Sequence, residues 1–121
     1  MAEHNELGRR GEQIAEEHFK KNGFTILERN WRFMKAEVDI ICSKGNETIF
    51  AEVKTRSGNF FGEPEVAVDD KKKELMLRAA TEYIYQKNIN TEVRFDIISI
   101  LFNGTSFELT HFEDAFFPYD M

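Results

Sequence analysis

One predicted β-hairpin constrains this chain more than any other feature of its sequence. Gly45-Asn46 is a favoured pair for a two-residue turn, and strand-like runs lie on both sides of it. Such a turn places Lys44 opposite Glu47, and a four-residue loop would give the same register. One face of the hairpin is then wholly apolar and must be core, which supports the register independently. Its pairs are Val38 with Val53, Ile40 with Ala51 and Cys42 with Ile49.

The other face of the hairpin carries charges. In the same register Asp39 lies opposite Glu52, and Glu37 lies opposite Lys54. Directly opposed side chains have β-carbons about 4.5–5.5 Å apart, and like charges there destabilise a sheet. A divalent cation removes that repulsion, and Mg²⁺ or Mn²⁺ prefers such oxygen ligands. The pattern therefore predicts a metal site, with Lys54 on the same face to activate water or stabilise charge on a phosphate.

Ordinary ion pairs are the alternative interpretation of these charges. Glu37 opposite Lys54 is a plausible cross-strand pair, and Asp39 has Arg32 or Arg56 as other candidate partners. The hairpin alone leaves both interpretations open.

Hydrophobic periodicity predicts one α/β domain over residues 1–121. The order is α-β-β-β-α-β-β, and the sixth element is apolar on both parities, as in a central strand covered on both faces. The expected elements are a helix from about Leu7 to Asn22, strands Phe24–Phe33, Ala36–Ser43 and Thr48–Arg56, a loop containing Gly58, Gly62 and Pro64, a helix from about Asp70 to Lys87, and strands Glu92–Phe102 and Phe107–His111.

Three further features concern the ends of these elements. Asn22-Gly23 is a good helix stop, because Gly takes the left-handed conformation that closes helices. Gly8 and Gly11 in the first helix indicate either close backbone approach or a frayed helix start. The aromatic tail is expected to form a lid over the core, and its residues are Phe112, Phe116, Phe117 and Tyr119.

Cysteine, histidine and charge exclude several classes of protein. Cys42 is the single cysteine, so an internal disulfide is impossible, and the three histidines form no zinc-finger spacing. The polar N-terminus and the lack of a long apolar run predict a cytoplasmic protein without a membrane span. The net charge of −6 counts against nucleic-acid binding. However, that acidity is mainly C-terminal, since six acidic residues and only Arg94 stand from Glu92 onward.

The residues of the hairpin also carry a resemblance. Asp39, followed after twelve residues by Glu52-Val53-Lys54, resembles the D-xₙ-E-x-K core of the restriction-endonuclease-like superfamily. The wider pattern resembles the YraN-like family of predicted endonucleases, distant relatives of archaeal Holliday-junction resolvases. The matching segments are Leu7–Glu12, Leu27–Arg32, Glu37–Ile41, Glu52–Arg56, Phe61–Pro64 with Ala67-Val68, and Arg94–Asp96.

This resemblance implies a restriction-endonuclease-like α-β-β-β-α-β core, with a mixed central sheet flanked by helices. It implies that Asp39, Glu52 and the backbone carbonyl of Val53 bind Mg²⁺ or Mn²⁺, and that Lys54 is catalytic. Glu12 matches a glutamate of the first helix that assists metal binding in the resolvases, although a solvated surface glutamate is the alternative. The expected activity is hydrolysis of DNA, branched or damaged, by a homodimer.

Other residues are weaker candidates. Lys71, Lys72 and Lys73 lie in the first turn of the second helix, where free amides and lysines suit phosphate, but a merely solvated charge run is the more ordinary interpretation. Trp31 is either a base-stacking or a core residue, and Asp96 is expected to form an ion pair with Arg94 or a neighbour. Further candidates for phosphate contacts are Arg9, Arg10, Arg32 and Arg56.

A second function fits the same sequence. The chain would then be a nucleic-acid-binding or assembly module that keeps the fold without catalytic turnover.

Overall fold

The computed structural model describes residues 5–58 and 68–116. It confirms the predicted α/β class and the order of elements. Predicted Gly62, Pro64, Phe117 and Tyr119 lie outside the described residues. The helices are α1 (Glu6–Lys21) and α2 (Asp70–Lys87), and the strands are β1 (Thr25–Phe33), β2 (Ala36–Lys44), β3 (Glu47–Ser57), β4 (Glu92–Asn103) and β5 (Ser106–Phe112).

Capping residues define the helix ends. The side chain of Asn5 accepts a 2.8 Å hydrogen bond from the Gly8 N–H at the start of α1. Gly23 follows the helix with φ of 89°, so the predicted stop is confirmed. Asp69 caps α2 by accepting a 2.8 Å bond from the Lys72 N–H. This cap orients the first turn of α2, which carries three consecutive lysines.

The five strands form one mixed sheet in the order β1-β2-β3-β4-β5. Strands β3 and β4 are parallel, and the other neighbours are antiparallel. The connection from β3 to β4 contains α2, as a parallel pair requires.

Helices cover both faces of the sheet, so β2, β3 and β4 are buried on two sides. The cluster on the α2 side includes Val38, Ile41, Phe50, Met76, Ala79, Tyr83, Phe95 and Ile97. The cluster on the α1 side includes Ala15, Phe19, Ile40, Cys42, Ile49, Ala51, Ile98, Ile100 and Phe102. The predicted double coverage of β4 is confirmed.

The predicted register of the hairpin is correct over five pairs, from Lys44 opposite Glu47 to Ile40 opposite Ala51. The prediction of one continuous apolar face is wrong at Val38, which packs on the α2 side while Ile40 packs on the α1 side. Asp39 lies between these two residues on β2, and Asn30 faces it from β1. Asn30 has a left-handed φ of 48°. The sheet is therefore irregular at Asp39, so strict alternation fails there.

Gly11 shows why α1 contains a buried glycine. A β-carbon at this position would collide with the Thr55 side chain on β3. Of the two interpretations, close backbone approach is therefore the correct one for Gly11. This contact brings the first turns of α1 beside the end of β3.

The aromatic tail folds onto the core as far as it is described. Phe116 is buried, its ring centroid lies 5.5 Å from that of Phe95, and the Ala115 N–H donates to the Phe95 carbonyl at 2.7 Å. Neither helix, within residues 5–58 and 68–116, is long and apolar enough to cross a membrane.

Candidate metal centre

Strands β2 and β3 part at one end of the sheet. Their ladder ends at Ile40 opposite Ala51. Beyond that pair, β2 stays with β1 through Phe33 opposite Ala36, while β3 stays with β4 through Ser57. The opening is a cleft of about 520 Å³. It is lined by Asn5, Leu7, Gly8, Glu12, Lys35, Glu37, Asp39, Glu52, Val53, Lys54, Thr55, Arg56, Lys72 and Leu75.

Where the β2–β3 ladder has ended, the side chain of Asp39 on β2 bonds to the backbone of β3. Its Oδ2 accepts a 2.8 Å hydrogen bond from the backbone N–H of Val53. In an extended strand the N–H and C=O of one residue point to the same neighbour. The carbonyl of Val53 is therefore directed towards β2 as well, on the side where the carboxylate lies.

The charge on Asp39 is disfavoured. Burial raises the pKa of Asp39 well above its usual range, and the neighbouring carboxylates of Glu52 and Glu12 raise it further. The Val53 N–H and the Lys72 ammonium oppose the shift only in part. Asp39 and Glu52 are thus close enough to repel each other, although neither belongs to the β2–β3 ladder among the described residues.

One carboxylate oxygen of Glu52, Oε1, is buried and lacks a hydrogen-bond donor among the described residues. Nζ of Lys72 lies 3.3 Å from this oxygen, which is within ion-pair distance, but its geometry does not make a hydrogen bond. A carboxylate oxygen buried without a hydrogen-bond donor is costly, so a cation bound at Oε1 would stabilise it further.

Lys72 is predicted from the sequence either as a phosphate contact or as one member of a solvated charge run. The structure separates the three lysines: Lys72 is partly buried in the cleft, Lys71 is exposed, and Nζ of Lys73 lies 5.9 Å from the centre of the Phe116 ring. The solvated interpretation therefore fails for Lys72. The helical period could have found it, because Lys72 continues the buried stripe of Leu75 and Met76 by one turn.

Glu12 reaches the cleft from α1. Its Oε1 accepts a hydrogen bond of 3.2 Å from the Asn30 side chain. The negative charge of Glu12 raises the pKa of Asp39. The alternative of a purely solvated surface glutamate is therefore wrong. Gly11, one residue before it, permits the close approach that carries Glu12 there.

The residues of the cleft fit a hard divalent cation with few protein ligands. No group of three or more His, Cys, Asp or Glu side chains is arranged to hold a metal ion within residues 5–58 and 68–116. Asp39, Glu52 and the Val53 carbonyl are two carboxylates and one carbonyl, and the orphaned Glu52 Oε1 is the observation that favours a cation. Mg²⁺ in particular is often bound by one or two carboxylates, with water and substrate phosphate completing its shell.

The predicted cationic residues divide into three groups. Lys54 and Arg56 line the cleft. Arg9 and Arg10 line an adjacent cleft of about 320 Å³ that also includes Glu12 and Asp39. Arg32 lines neither; its Nη2 lies 3.7 Å from Glu37 Oε1. The alternative pairing of Asp39 with Arg32 is therefore wrong.

Trp31 and Asp96 have structural roles. The Trp31 ring meets Tyr83 edge to face at 5.2 Å and packs against the α2-side core, so the core interpretation is correct. Asp96 is fully buried and accepts two hydrogen bonds of 2.9 Å from Arg94. The predicted Arg94–Asp96 ion pair is confirmed.

Comparisons with known proteins agree on one family. The model of the family described as uncharacterised protein family UPF0102 matches residues 11–100. A UPF0102 protein of Flavobacterium psychrophilum is 45% identical over 119 residues, covering 98% of this chain and 100% of the relative. One of Christiangramia forsetii is 47% identical over 97% of this chain and 98% of its own length. One of Bacteroides thetaiotaomicron is 44% identical over 98% of both chains.

Proposed function

The chain belongs to the uncharacterised protein family UPF0102, and we propose that it is a metal-dependent endonuclease that hydrolyses DNA in the cleft between β2 and β3. The expected YraN-like family is thereby confirmed. Its nuclease activity and its place in the restriction-endonuclease-like superfamily are parts of our proposal.

The buried Oε1 of Glu52 is the observation that carries this proposal. Among the described residues this oxygen has no hydrogen-bond donor, and beside it the charge on Asp39 is disfavoured by burial and repulsion. Folding alone gives no reason to collect these groups where two strands separate. A bound cation gives one, because it satisfies both carboxylates at once.

Asp39, Glu52 and the Val53 carbonyl would hold Mg²⁺ or Mn²⁺, and Glu12 would support them. When bound, such an ion acts as a Lewis acid on a phosphoryl oxygen and lowers the pKa of water. The chain's own part is to fix the two carboxylates. The Val53 N–H orients Asp39 by its 2.8 Å hydrogen bond, and pairing of β3 with β4 holds Glu52.

Two lysines would have different partners in the cleft, the phosphate for Lys54 and Glu52 for Lys72. Lys54 lies two residues beyond Glu52 on β3, so both side chains project from the same face of that strand. Its ammonium would stabilise the negative charge that develops on the phosphate during hydrolysis. Lys72 approaches from α2 and balances the charge of Glu52.

DNA is the substrate class that the local charges favour. Lys35, Lys54, Arg56 and Lys72 line the cleft, and Arg9 and Arg10 line the adjacent cleft. The overall charge of −6 is concentrated towards the C-terminus. The cleft also holds the carboxylates of Glu12, Glu37, Asp39 and Glu52, so a bound cation would have to offset them before these Lys and Arg side chains contact phosphates. We expect the protein to act in the cytoplasm on branched or damaged DNA.

Calorimetric titration with Mn²⁺ tests the metal site. Wild-type protein should bind Mn²⁺, Asp39→Ala should lose that binding, and the exposed-carboxylate control Glu17→Gln should keep it. Cleavage should then be measured in Mn²⁺ on linear, nicked and branched DNA. Absence of Mn²⁺ binding up to millimolar concentration, together with absence of cleavage, contradicts the proposal.

A nucleic-acid-binding or assembly module without turnover is the second candidate. The contact between Lys72 and Glu52 favours it, since this lysine already supplies part of the charge that a metal would bring. This function predicts DNA binding that is the same in chelator and in Mn²⁺. It also predicts that Asp39→Ala leaves DNA affinity unchanged.

A further inference from the structure

The turn between β1 and β2 holds a bulky side chain in a conformation that favours glycine. Phe33 pairs with Ala36, so Met34 and Lys35 form a two-residue turn. Met34 has a φ of 58°, and a positive φ at the first position of such a turn is normally met by Gly, Asn or Asp. The Met34 side chain is nevertheless 84% exposed. Single exposed apolar residues are common, but one kept in a strained turn calls for another reason than folding.

This turn lies at the rim of the cleft. Lys35, the second residue of the turn, lines the cleft together with Glu37, while Arg32 is exposed on β1 beside Glu37. The apolar tip is therefore flanked by two cationic side chains. A base step of DNA offers the complementary surface, with flat apolar base faces between two lines of phosphates.

We propose that Met34 is a wedge that inserts between bases while the neighbouring phosphodiester lies in the cleft. The inference rests on the proposed function, and it deepens it by naming the part of the substrate that is recognised, a base step that can be unstacked. Methionine is flexible and polarizable, and proteins that kink DNA often insert such apolar side chains between base steps. Opening a stack costs least where bases are already unpaired. The preferred substrate is therefore DNA at a branch or mismatch, and linear duplex is a poorer one.

Fluorescence in a non-cleaving background tests the wedge. Asp39→Asn protein is mixed in chelator with branched DNA that carries 2-aminopurine at the branch point, and with a matched linear duplex. Unstacking of this base raises its emission. The background protein should raise emission at the branch. It should also bind branched DNA about tenfold more tightly than linear duplex, because a tenfold difference in affinity corresponds to roughly one base stacked on a side chain.

Variants of Met34 in this background separate the outcomes. Met34→Gly should lose both the emission rise and the preference for branched DNA, and Met34→Leu should keep them. Tyr85→Ala is the matched control, because Tyr85 is 79% exposed but does not line the cleft. Met34→Gly should also raise the melting temperature, since Gly accepts the positive φ without strain.

Retained emission and branch preference in Met34→Gly would overturn the wedge. A lower melting temperature in Met34→Gly would also overturn it, because Met34 would then serve folding. Neither result touches Mn²⁺ binding or cleavage by the protein with Asp39 intact. Conversely, the fluorescence assay needs no metal and no cleavage, so failure of the proposed nuclease activity is seen separately.

Discussion

The ammonium of Lys72 lies 3.3 Å from the buried Oε1 of Glu52, and this contact joins the first turn of α2 to the end of β3. Cations in the first turn of a helix oppose the helix dipole. The helix dipole therefore disfavours the positive charge of Lys72, whereas the negative charge of Glu52 favours it. In the proposed function, Lys72 and the metal ion compete for the charge of the same carboxylate.

Lys72→Gln should bind Mn²⁺ several-fold more tightly than wild type, because a competing positive charge is removed. In chelator the same change should lower the free energy of unfolding by about 1 kcal/mol, since Glu52 loses a partly exposed ion pair. Calorimetry and urea unfolding measure the two effects, and Lys71→Gln is the exposed control. Weaker Mn²⁺ binding with an unchanged fold would show that Lys72 supports the metal instead of competing with it.

Asp39→Asn should leave the melting temperature in chelator unchanged or raised, and it should abolish stabilisation by Mn²⁺. Because the folded pKa of Asp39 is raised, its ionisation destabilises the native state as pH rises above the ordinary aspartate pKa of about 3.9. The gain in stability of Asp39→Asn over wild type is therefore absent below that pH and grows as pH rises through the folded pKa. Thermal unfolding from pH 3 to pH 8 measures it. A large loss of stability in chelator would instead assign Asp39 to a structural ion pair.

Lys54→Ala should reduce cleavage by about 10²–10³, the usual effect of removing one electrostatic stabiliser. Mn²⁺ affinity should hold or increase, because a positive charge leaves the cleft. Lys54→Arg should also cleave poorly, since a planar guanidinium does not replace a compact ammonium. Single-turnover kinetics on linear, nicked and branched DNA measure these effects. Full cleavage by Lys54→Ala would exclude Lys54 from catalysis.

Asp96→Asn should destabilise the protein by about 3 kcal/mol at neutral pH, because Arg94 loses its buried partner. Burial by itself would raise the pKa of Asp96, but hydrogen bonds from His111, Arg94 and the Asp114 N–H lower it below its usual range. A depressed acid pKa gives stability above the unfolded pKa that is lost as pH falls through the folded pKa.

The difference between wild type and Asp96→Asn should therefore shrink in urea unfolding as pH falls below about 3.9. Glu113→Gln is the matched control. Glu113 is 64% exposed and lies 3.9 Å from Arg94, so its loss should change stability by less than about 0.5 kcal/mol. A constant difference at all pH values would mean that the charge of Asp96 is not the stabilising feature.

We expect a homodimer in solution, because in the proposed function one cleft would cut one strand and paired cuts would need two copies. Phe116 is buried in its own core, so the described part of the tail does not supply the contact surface. Phe107, 46% exposed on the edge strand β5, is a better candidate. Light scattering should give about twice the chain mass of 14.2 kDa. A monomer both alone and with duplex DNA would remove this expectation.

The sequence by itself determined the elements, their order and most of the hairpin register. Local rules suffice for these, since turn chemistry, caps and the two hydrophobic periods act over a few residues. The register from Lys44 opposite Glu47 to Ile40 opposite Ala51 follows from the turn alone. The sequence also predicts Asp39, Glu52 and Lys54 as site residues, and the structure places all three in the cleft, although Asp39 and Glu52 do not form the facing pair that the register predicts.

Only the tertiary structure decided how these residues meet. The strands separate after Ile40, so Asp39 bonds to the Val53 N–H instead of standing in a ladder opposite Glu52. Lys72 enters the cleft because α2 crosses the sheet there, and Glu12 enters because Gly11 lets α1 approach Thr55. Such contacts join residues far apart in the chain. They depend on how helices pack on a twisted sheet, which no local pattern of side chains specifies.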